Sequence, residues 1–100
     1  MNDFCQFLGI CRKAGKLIYG TESVKKSLAE NKAKLILISS NISEKTEKEL
    51  NFFAKKNNIP VVRTGFNTNE LSKATGTVAG VFAVIDSGFA KRIIELGGTL

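Results

Sequence analysis

A run of four bulky aliphatic residues, Leu35–Ile38, is the feature that most constrains the fold of this chain. A strand with one face in water alternates apolar and polar residues, whereas this run contains no polar position. Strands of this kind are typical of the middle of a sheet whose two faces are both covered by helices. The run therefore predicts a sheet that lies between two helical layers.

Amphipathic segments and apolar runs alternate around this strand. The patterns predict helix N-caps at Asn2 or Asp3, Thr21, Ser43, Asn67, and Asp86 or Ser87, with Asn67 and Glu70 as a variant of the capping box. They predict helix ends at Gly15, Asn57-Asn58 and Gly97-Gly98, and strands over 16–19, 35–38, 59–62 and 78–85. The inward residues are predicted to be Phe4, Phe7, Leu8, Cys11, Val24, Leu28, Leu50, Phe53, Ala54, Leu71, Ala74, Phe89, Ala90 and Ile93. The order αβαβαβαβα predicts an α/β protein, a three-layer α/β/α sandwich around a four-stranded sheet. Residues 1–100 are expected to form a single domain.

The charge balance favours polyanionic partners. Lys and Arg number 15 against 9 Asp and Glu, which gives a net charge of +6 and an isoelectric point near 9.6. Residues 1–34 hold seven of the cations and three of the anions, so +4 of the excess lies in the first third of the chain. Nucleic acid is the partner that such a balance favours, and a generally basic solvated surface is the alternative.

Enzyme and metal signatures are largely missing. The chain has no histidine, which removes the usual general base and the usual zinc ligand. The segment from Gly9 to Lys16 imitates a phosphate-binding Walker loop, but its glycine spacing is wrong and Leu17 replaces the hydroxyl residue that binds magnesium. We expect no catalytic residue, no metal, no cofactor and no small-molecule substrate.

The cysteines and the apolar runs indicate a cytoplasmic location. Cys5 and Cys11 are six residues apart on one predicted helix, about 9 Å along its axis, which is too far for a disulfide between them. No signal-peptide pattern opens the sequence, and no apolar run is long enough to span a membrane. We therefore expect reduced thiols, a cytoplasmic protein and no membrane partner.

The turn from the first strand into the second helix is the candidate site. Gly20 would permit close approach of a ligand to the backbone, and a helix that begins near Thr21 presents unpaired amides and partial positive charge. Lys25 and Lys26 follow about one turn later, so a phosphate group suits this corner. An ordinary strand-to-helix turn with solvated lysines is the alternative.

The sequence also resembles the ribosomal protein family that includes the archaeal seven-Ae and eukaryotic thirty-e large-subunit proteins, and most of all its bacterial YlxQ-like branch. The resemblance runs through residues 20–26 (GTESVKK), 32–39 (KAKLILIS), 58–61 (NIPV), 70–76 (ELSKATG) and 81–86 (VFAVID). Members of the family bind kink-turn RNA. The resemblance implies a mixed sheet, and a structured RNA such as ribosomal RNA or an mRNA leader as the partner of a ribosomal or ribosome-associated protein.

The same resemblance implies two RNA-binding segments. The first corresponds to Gly20, Thr21, Glu22, Ser23 and Lys26, and the second to Thr75, Gly76, Thr77, Val78 and Ala79. Lys16 and Lys25 are added here as electrostatic support, while a buried-strand role is an equal alternative for Val78 and Ala79. Glu22 and Ser23 depart from the family pattern, which has Asn or Lys and then Glu or Gln at these positions.

Three functions are therefore weighed. The leading hypothesis is a monomeric, non-enzymatic RNA-binding protein that recognises kink-turn-like RNA through the two segments. The alternative is a protein-interaction module on the same fold, in which Glu22 and Ser23 mark weakened or altered RNA specificity. The third hypothesis, a nucleotide-binding enzyme, is supported by fold analogy alone.

Overall fold

Five helices and four strands alternate along residues 3–97, which are the residues that the computed structural model describes. They are α1 (Asp3–Lys13), β1 (Leu17–Tyr19), α2 (Thr21–Ala29), β2 (Leu35–Ile38), α3 (Glu44–Lys56), β3 (Val61–Arg63), α4 (Thr68–Thr75), β4 (Val81–Val84) and α5 (Ser87–Gly97). The predicted order αβαβαβαβα is thus confirmed. The proposed cap at Asn2 and the helix-ending role of Gly98 lie outside the described residues.

The sheet is mixed, with the strand order β1-β4-β2-β3. β4 runs antiparallel to both of its neighbours, β1 and β2, whereas β2 and β3 are parallel. Because β4 is antiparallel, the segment that enters it lies beside the segments that leave β1 and β2. This arrangement positions the candidate site.

The two central strands are buried on both faces, as the aliphatic run predicts. Successive side chains of a strand point to opposite faces, so Leu35 and Leu37 enter one core while Ile36 and Ile38 enter the other. The first core packs α1, α4 and α5 against the sheet, and the second packs α2 and α3. The result is the predicted three-layer α/β/α sandwich.

Side-chain caps fix the starts of three helices. At the start of α5, the Asp86 carboxylate accepts a hydrogen bond from the Phe89 amide at 2.9 Å, as one of the two predicted caps. The Ser43 hydroxyl accepts a hydrogen bond from the Thr46 amide at the start of α3. Asn67 and Glu70 form the predicted reciprocal capping box at the start of α4, since each side chain accepts from the other residue's amide at 2.8 and 3.0 Å. α4 is therefore firmly placed before the loop that leads into β4.

Several sequence predictions are wrong in detail. The last two strands differ from their predicted bounds: the fourth spans Val81–Val84 rather than 78–85, and the third spans Val61–Arg63 rather than 59–62. Ala79 belongs to the loop before the last strand, because its amide and carbonyl bond to the Ser72 hydroxyl and not to a neighbouring strand. Phe53 is 37% exposed instead of buried, since it lies at the edge of α3 beside Lys25. Thr21 is the first residue of α2 rather than its cap, and Gly20 occupies the cap position.

Cys5 and Cys11 are both buried. Burial, and then the nearby charge of Asp86, raise the pKa of the Cys11 thiol to about 11. Burial likewise raises the pKa of the Cys5 thiol. Both therefore behave as small apolar core residues at neutral pH.

No helix among residues 3–97 has both the length and the apolar composition that a membrane span requires.

Candidate nucleic-acid interface

The N-terminus of α2 is uncapped. Gly20 has φ 95° and ψ 142°, a conformation that favours glycine, and no side chain caps the helix. The first helical hydrogen bond runs from the Val24 amide to the Gly20 carbonyl at 2.9 Å. The amides of residues 21–23 precede that bond and have no carbonyl partner within the helix. They present donors at the positive end of the helix dipole.

Side chains around these amides leave them accessible. Glu22 and Ser23 are exposed, and Gly20 and Thr21 are half-buried. The Glu22 side chain is 90% exposed, and its carboxylate is 3.9 Å from the Lys25 ammonium, a distance at which a surface ion pair is weak. The Glu22 carboxylate is therefore free to accept hydrogen bonds from a ligand.

The loop after α4 carries the second predicted segment. Gly76 ends the helix in the left-handed conformation, with φ 78°, and its amide donates to the Ser72 carbonyl at 2.8 Å. Thr75 and Thr77 are buried, and their hydroxyls are hydrogen-bonded to each other at 2.8 Å. These two threonines hold the loop in shape, so they reach a ligand only through the residues that they position.

Val78 is the tip of this loop and is 94% exposed. This exposure excludes the buried-strand role that the sequence left open for Val78. The neighbouring Ala79 is half-buried against the first core, and its amide and carbonyl lie 3.3 and 3.5 Å from the Ser72 hydroxyl. Ala79 thus anchors the loop, while Val78 presents an apolar side chain to solvent.

The sheet brings the two segments together. The Gly20 amide donates to the Val81 carbonyl at 3.0 Å, and Tyr19 pairs with Phe82 in the β1–β4 ladder. The Ser39 amide donates to the Gly80 carbonyl at 2.8 Å, so the segment that leaves β2 lies at the same end of the sheet as Gly20 and Gly80. A Cβ on Gly80 would lie only 2.9 Å from the Ser39 hydroxyl, which explains the glycine.

Two of the predicted lysines serve different purposes in the structure. The Lys25 ammonium lies 2.5 Å from Glu49 of α3 and 5.9 Å from the centre of the Phe53 ring. The hydrogen bond from Lys25 lowers the pKa of Glu49 and raises that of Lys25. Lys25 therefore links α2 to α3. Lys26 is exposed on the same helix, and among residues 3–97 no carboxylate lies within ion-pair distance of its ammonium.

Lys16 lies at the opposite end of β1 from Gly20. It precedes β1, and its carbonyl accepts from the amide of Ile85, just beyond the far end of β4. Four residues of extended chain place it about 13 Å from Gly20, which exceeds the Debye length of about 10 Å at 0.1 M salt. The structure therefore separates Lys16 from the other predicted residues.

Two arginines that lie near the Gly20 end of the sheet are not among the predicted site residues. Arg12 lies over the ring of Tyr19, with 5.5 Å between its guanidinium carbon and the ring centre. Arg63 contacts Glu47 at 2.5 Å and donates to the Ser40 carbonyl at 2.9 Å. Neither the spacing from Arg12 to Tyr19 nor that from Glu47 to Arg63 matches a motif, so the sequence offered no signal for either contact.

Among residues 3–97 no group of three or more His, Cys, Asp or Glu residues could hold a metal ion.

Comparison with known proteins assigns the chain to a family. The sequence model of the ribosomal protein L7Ae/L30e/S12e/Gadd45 family matches residues 5–94. The RNA-binding protein YlxQ of Enterococcus faecium is 32% identical over 89 residues, which are 89% of this chain and 85% of that protein. The large ribosomal subunit protein eL30B of Schizosaccharomyces pombe is 37% identical over 83 residues, 81% of this chain and 71% of that one.

A solved structure shares the fold of this chain. A protein of unknown function from Bacillus halodurans superimposes with a TM-score of 0.93 at 28% identity, over 98% of this chain and 99% of that one. The family match covers both β1–α2 and the loop into β4, which are the segments that form the candidate interface. The chain therefore belongs to the L7Ae/L30e/S12e/Gadd45 family and to its bacterial YlxQ-like branch.

Proposed function

We propose that this protein binds structured, sharply bent RNA of the kink-turn type, as a cytoplasmic monomer that performs no reaction. The proposal depends on one observation, the hydrogen bond from Gly20 to Val81 that joins an uncapped helix N-terminus to the loop with the exposed Val78. RNA-binding and ribosomal proteins among the relatives support it. Ribosomal RNA and structured mRNA leaders are the RNA classes that we propose.

Each side of the corner suits a different part of a bent RNA. The free amides at Thr21 and Glu22 suit the sugar-phosphate backbone, which a helix N-terminus attracts. Lys26 suits a phosphate, and the Ser23 hydroxyl suits a base edge. A base extruded at the bend would expose an apolar face, and Val78 offers the matching surface.

Glu22 narrows the bases that the site accepts. A carboxylate accepts hydrogen bonds but donates none at neutral pH. It therefore suits the imino and amino edge of guanine or the amino group of cytosine, and it does not suit guanine O6 or N7, which need donors. We propose that the bases beside Glu22 present donors, so that this protein prefers a subset of bent RNAs.

The direct test compares a kink-turn RNA with a straight duplex of equal length over a salt series. We expect tighter binding to the kinked RNA at every salt concentration, because the corner fits a bend while the phosphate charge is the same. Equal affinity would remove the claim of bend recognition. The absence of binding to either RNA at low salt would remove RNA binding altogether.

Lys26→Ala tests the proposed phosphate contact. Loss of a charged hydrogen bond is expected to weaken binding by about tenfold or more, and loss of one phosphate contact should reduce the salt slope by about 0.7 to 0.9. The matched control is Lys91→Ala, which removes an exposed lysine of α5 beside Ile59 and Pro60, at the end of the sheet where β3 begins. A salt slope that is the same in Lys26→Ala and Lys91→Ala would show that Lys26 does not touch the backbone.

A pair of exposed aromatic rings supports a second candidate, a protein-interaction module. Phe52 is 64% exposed and Phe53 is 37% exposed on α3, with their ring centres 5.4 Å apart. Exposed aromatic side chains are enriched where proteins associate. Under this candidate, a partner should survive RNase treatment of an extract and be lost with Phe52→Ser. Partners that all disappear with RNase would contradict it.

A further inference from the structure

The stack of Arg12 on Tyr19 has no role in the two segments discussed so far. Arg12 belongs to the last turn of α1, and its guanidinium carbon is 5.5 Å from the centre of the Tyr19 ring, within the range of a cation–π contact. Tyr19 is 43% exposed, and Arg12 is half-buried. The ring therefore restricts the orientation of the guanidinium while the pair remains at the surface.

The guanidinium is left with unused donors. The Arg12 Nε atom is buried without a hydrogen-bond partner, and among residues 3–97 no carboxylate pairs with this arginine. A cation near the end of α1 is favourable for the helix dipole, but that explanation does not require the ring contact or the unpaired donor. Unpaired buried donors are rare in native proteins. The terminal Nη donors of Arg12 also have no hydrogen-bond partner among residues 3–97, and they lie at the end of the side chain that a ligand can reach.

The stack lies beside the proposed RNA site. Tyr19 directly precedes Gly20, and by strand alternation its side chain shares a face with Leu17, on the side of α1, α4 and α5. Ala79 packs into the core of that same side, whereas Val24 of α2 lies on the other. The Arg12–Tyr19 stack thus flanks the corner on the side of the Val78 loop.

We infer that the Arg12–Tyr19 stack is a phosphate clamp, which grips the RNA backbone on the Val78 side of the bend. This inference depends on the RNA-binding function proposed above. A guanidinium presents its donors in a planar fork that matches two oxygens of one phosphate, and the Tyr19 ring orients that fork before the RNA arrives. A phosphate at the fork supplies the acceptors that the protein itself does not provide.

Substitution of Arg12 tests the clamp with a kink-turn RNA over a salt series. Arg12→Ala is expected to weaken binding about tenfold and to reduce the salt slope by about 0.7 to 0.9. Arg12→Lys keeps the charge and loses the fork, so it should keep the wild-type slope and still bind several-fold more weakly. Thermal melts of each variant confirm that the protein is folded, and Arg12→Lys carries the test if Arg12→Ala does not fold.

The matched control is Lys13→Ala, which removes an exposed cation from the next position of the same helix turn. It should change affinity less than about twofold, because Arg12 and not Lys13 stacks on Tyr19, and an exposed charge that makes no direct phosphate contact is largely screened. Equal effects of Lys13→Ala and Arg12→Ala would show diffuse attraction and overturn the clamp. Wild-type affinity in Arg12→Lys together with an unchanged slope in Arg12→Ala would overturn it as well.

Tyr19 separates the clamp from a simple charge effect. Tyr19→Phe keeps the ring and should bind as the wild type does, whereas Tyr19→Ala frees the guanidinium and should weaken binding several-fold with an unchanged slope. Full affinity in Tyr19→Ala would refute the orienting role of the ring. Failure of the wild type to bind any RNA would instead refute the proposed function, so the two failures are distinguishable.

Discussion

Replacement of Gly20 by alanine tests whether the corner is set by backbone conformation. Gly20 has φ 95° and ψ 142°, and a Cβ built there would meet nothing within 4 Å. The cost of Gly20→Ala is therefore conformational rather than steric, about 1 to 3 kcal/mol for a residue held in a region that only glycine visits readily. A cost near 2 kcal/mol should lower the melting temperature of a domain of this size by about 8 to 16 °C.

Gly65→Ala is the matched control. Gly65 also has open space around its Cα, but its φ is not among the positive ones. Alanine there should leave stability unchanged or raise it by up to about 1 kcal/mol, because it reduces the entropy of the unfolded chain. The measurement is urea unfolding of both variants by circular dichroism, compared at equal slope so that the midpoints report stability.

The reasoning also predicts what happens to RNA binding. Because the Gly20 amide donates to Val81, a shifted backbone at Gly20 would separate the α2 terminus from the Val78 loop. At a temperature where Gly20→Ala is fully folded, its affinity for a kink-turn RNA should still be several-fold below that of the wild type. A variant as stable as Gly65→Ala and with full affinity would refute the conformational account of the corner.

Two further predictions concern stability alone. Asn67→Ala removes half of the capping box of α4 and should cost about 1 kcal/mol, seen as a lower melting temperature, whereas Asn69→Ala, two residues along the same helix, should leave it nearly unchanged. Burial raises the pKa of Cys11 from 9.0 to about 11, so the unfolded chain loses this proton first and the stability that it contributes should disappear as the pH rises from about 9 to about 11. Unfolding of the wild type and of Cys11→Ala across that range isolates the effect, and parallel pH profiles would contradict it.

Periodicity in the sequence was sufficient for the element order and the central strand. Leu35–Ile38 has no polar position and is buried on both faces, and the Asn67–Glu70 pair caps the helix that it was expected to cap. These features are local, so neighbouring residues determine them. The start of the last strand was not predictable in the same way. Val78 and Val81 are the same residue type, and Val78 is exposed in the loop that Ala79 forms by bonding to the Ser72 hydroxyl, a contact between residues seven apart in the sequence.

Sequence proximity was a poor guide to the charges of the site. Lys16 is only four residues from Gly20, yet it lies at the other end of β1, because the residues between them are extended. Lys25 is adjacent to Lys26 but pairs with Glu49, which lies 24 residues away and on another helix. Arg12 lies in the last turn of α1, where a cation suits the helix dipole as well as it suits RNA, and its contact with Tyr19 requires the turn between α1 and β1. Each of these placements depends on tertiary contacts that periodicity does not contain.

The direction of β1 explains why this fold can hold such a site at all. In a wholly parallel sheet, the loop that enters β4 would lie at the opposite end of the strands from the turn that leaves β1. The two segments would then be about 13 Å apart for strands of four residues. Here β1 and β4 are antiparallel, so the turn at Gly20 and the loop that ends at Gly80 meet at the same end of the sheet. Both segments are also pinned by main-chain hydrogen bonds, to Val81 and from Ser39. The corner is therefore formed before any RNA arrives, and affinity need not be spent on bringing its two halves together.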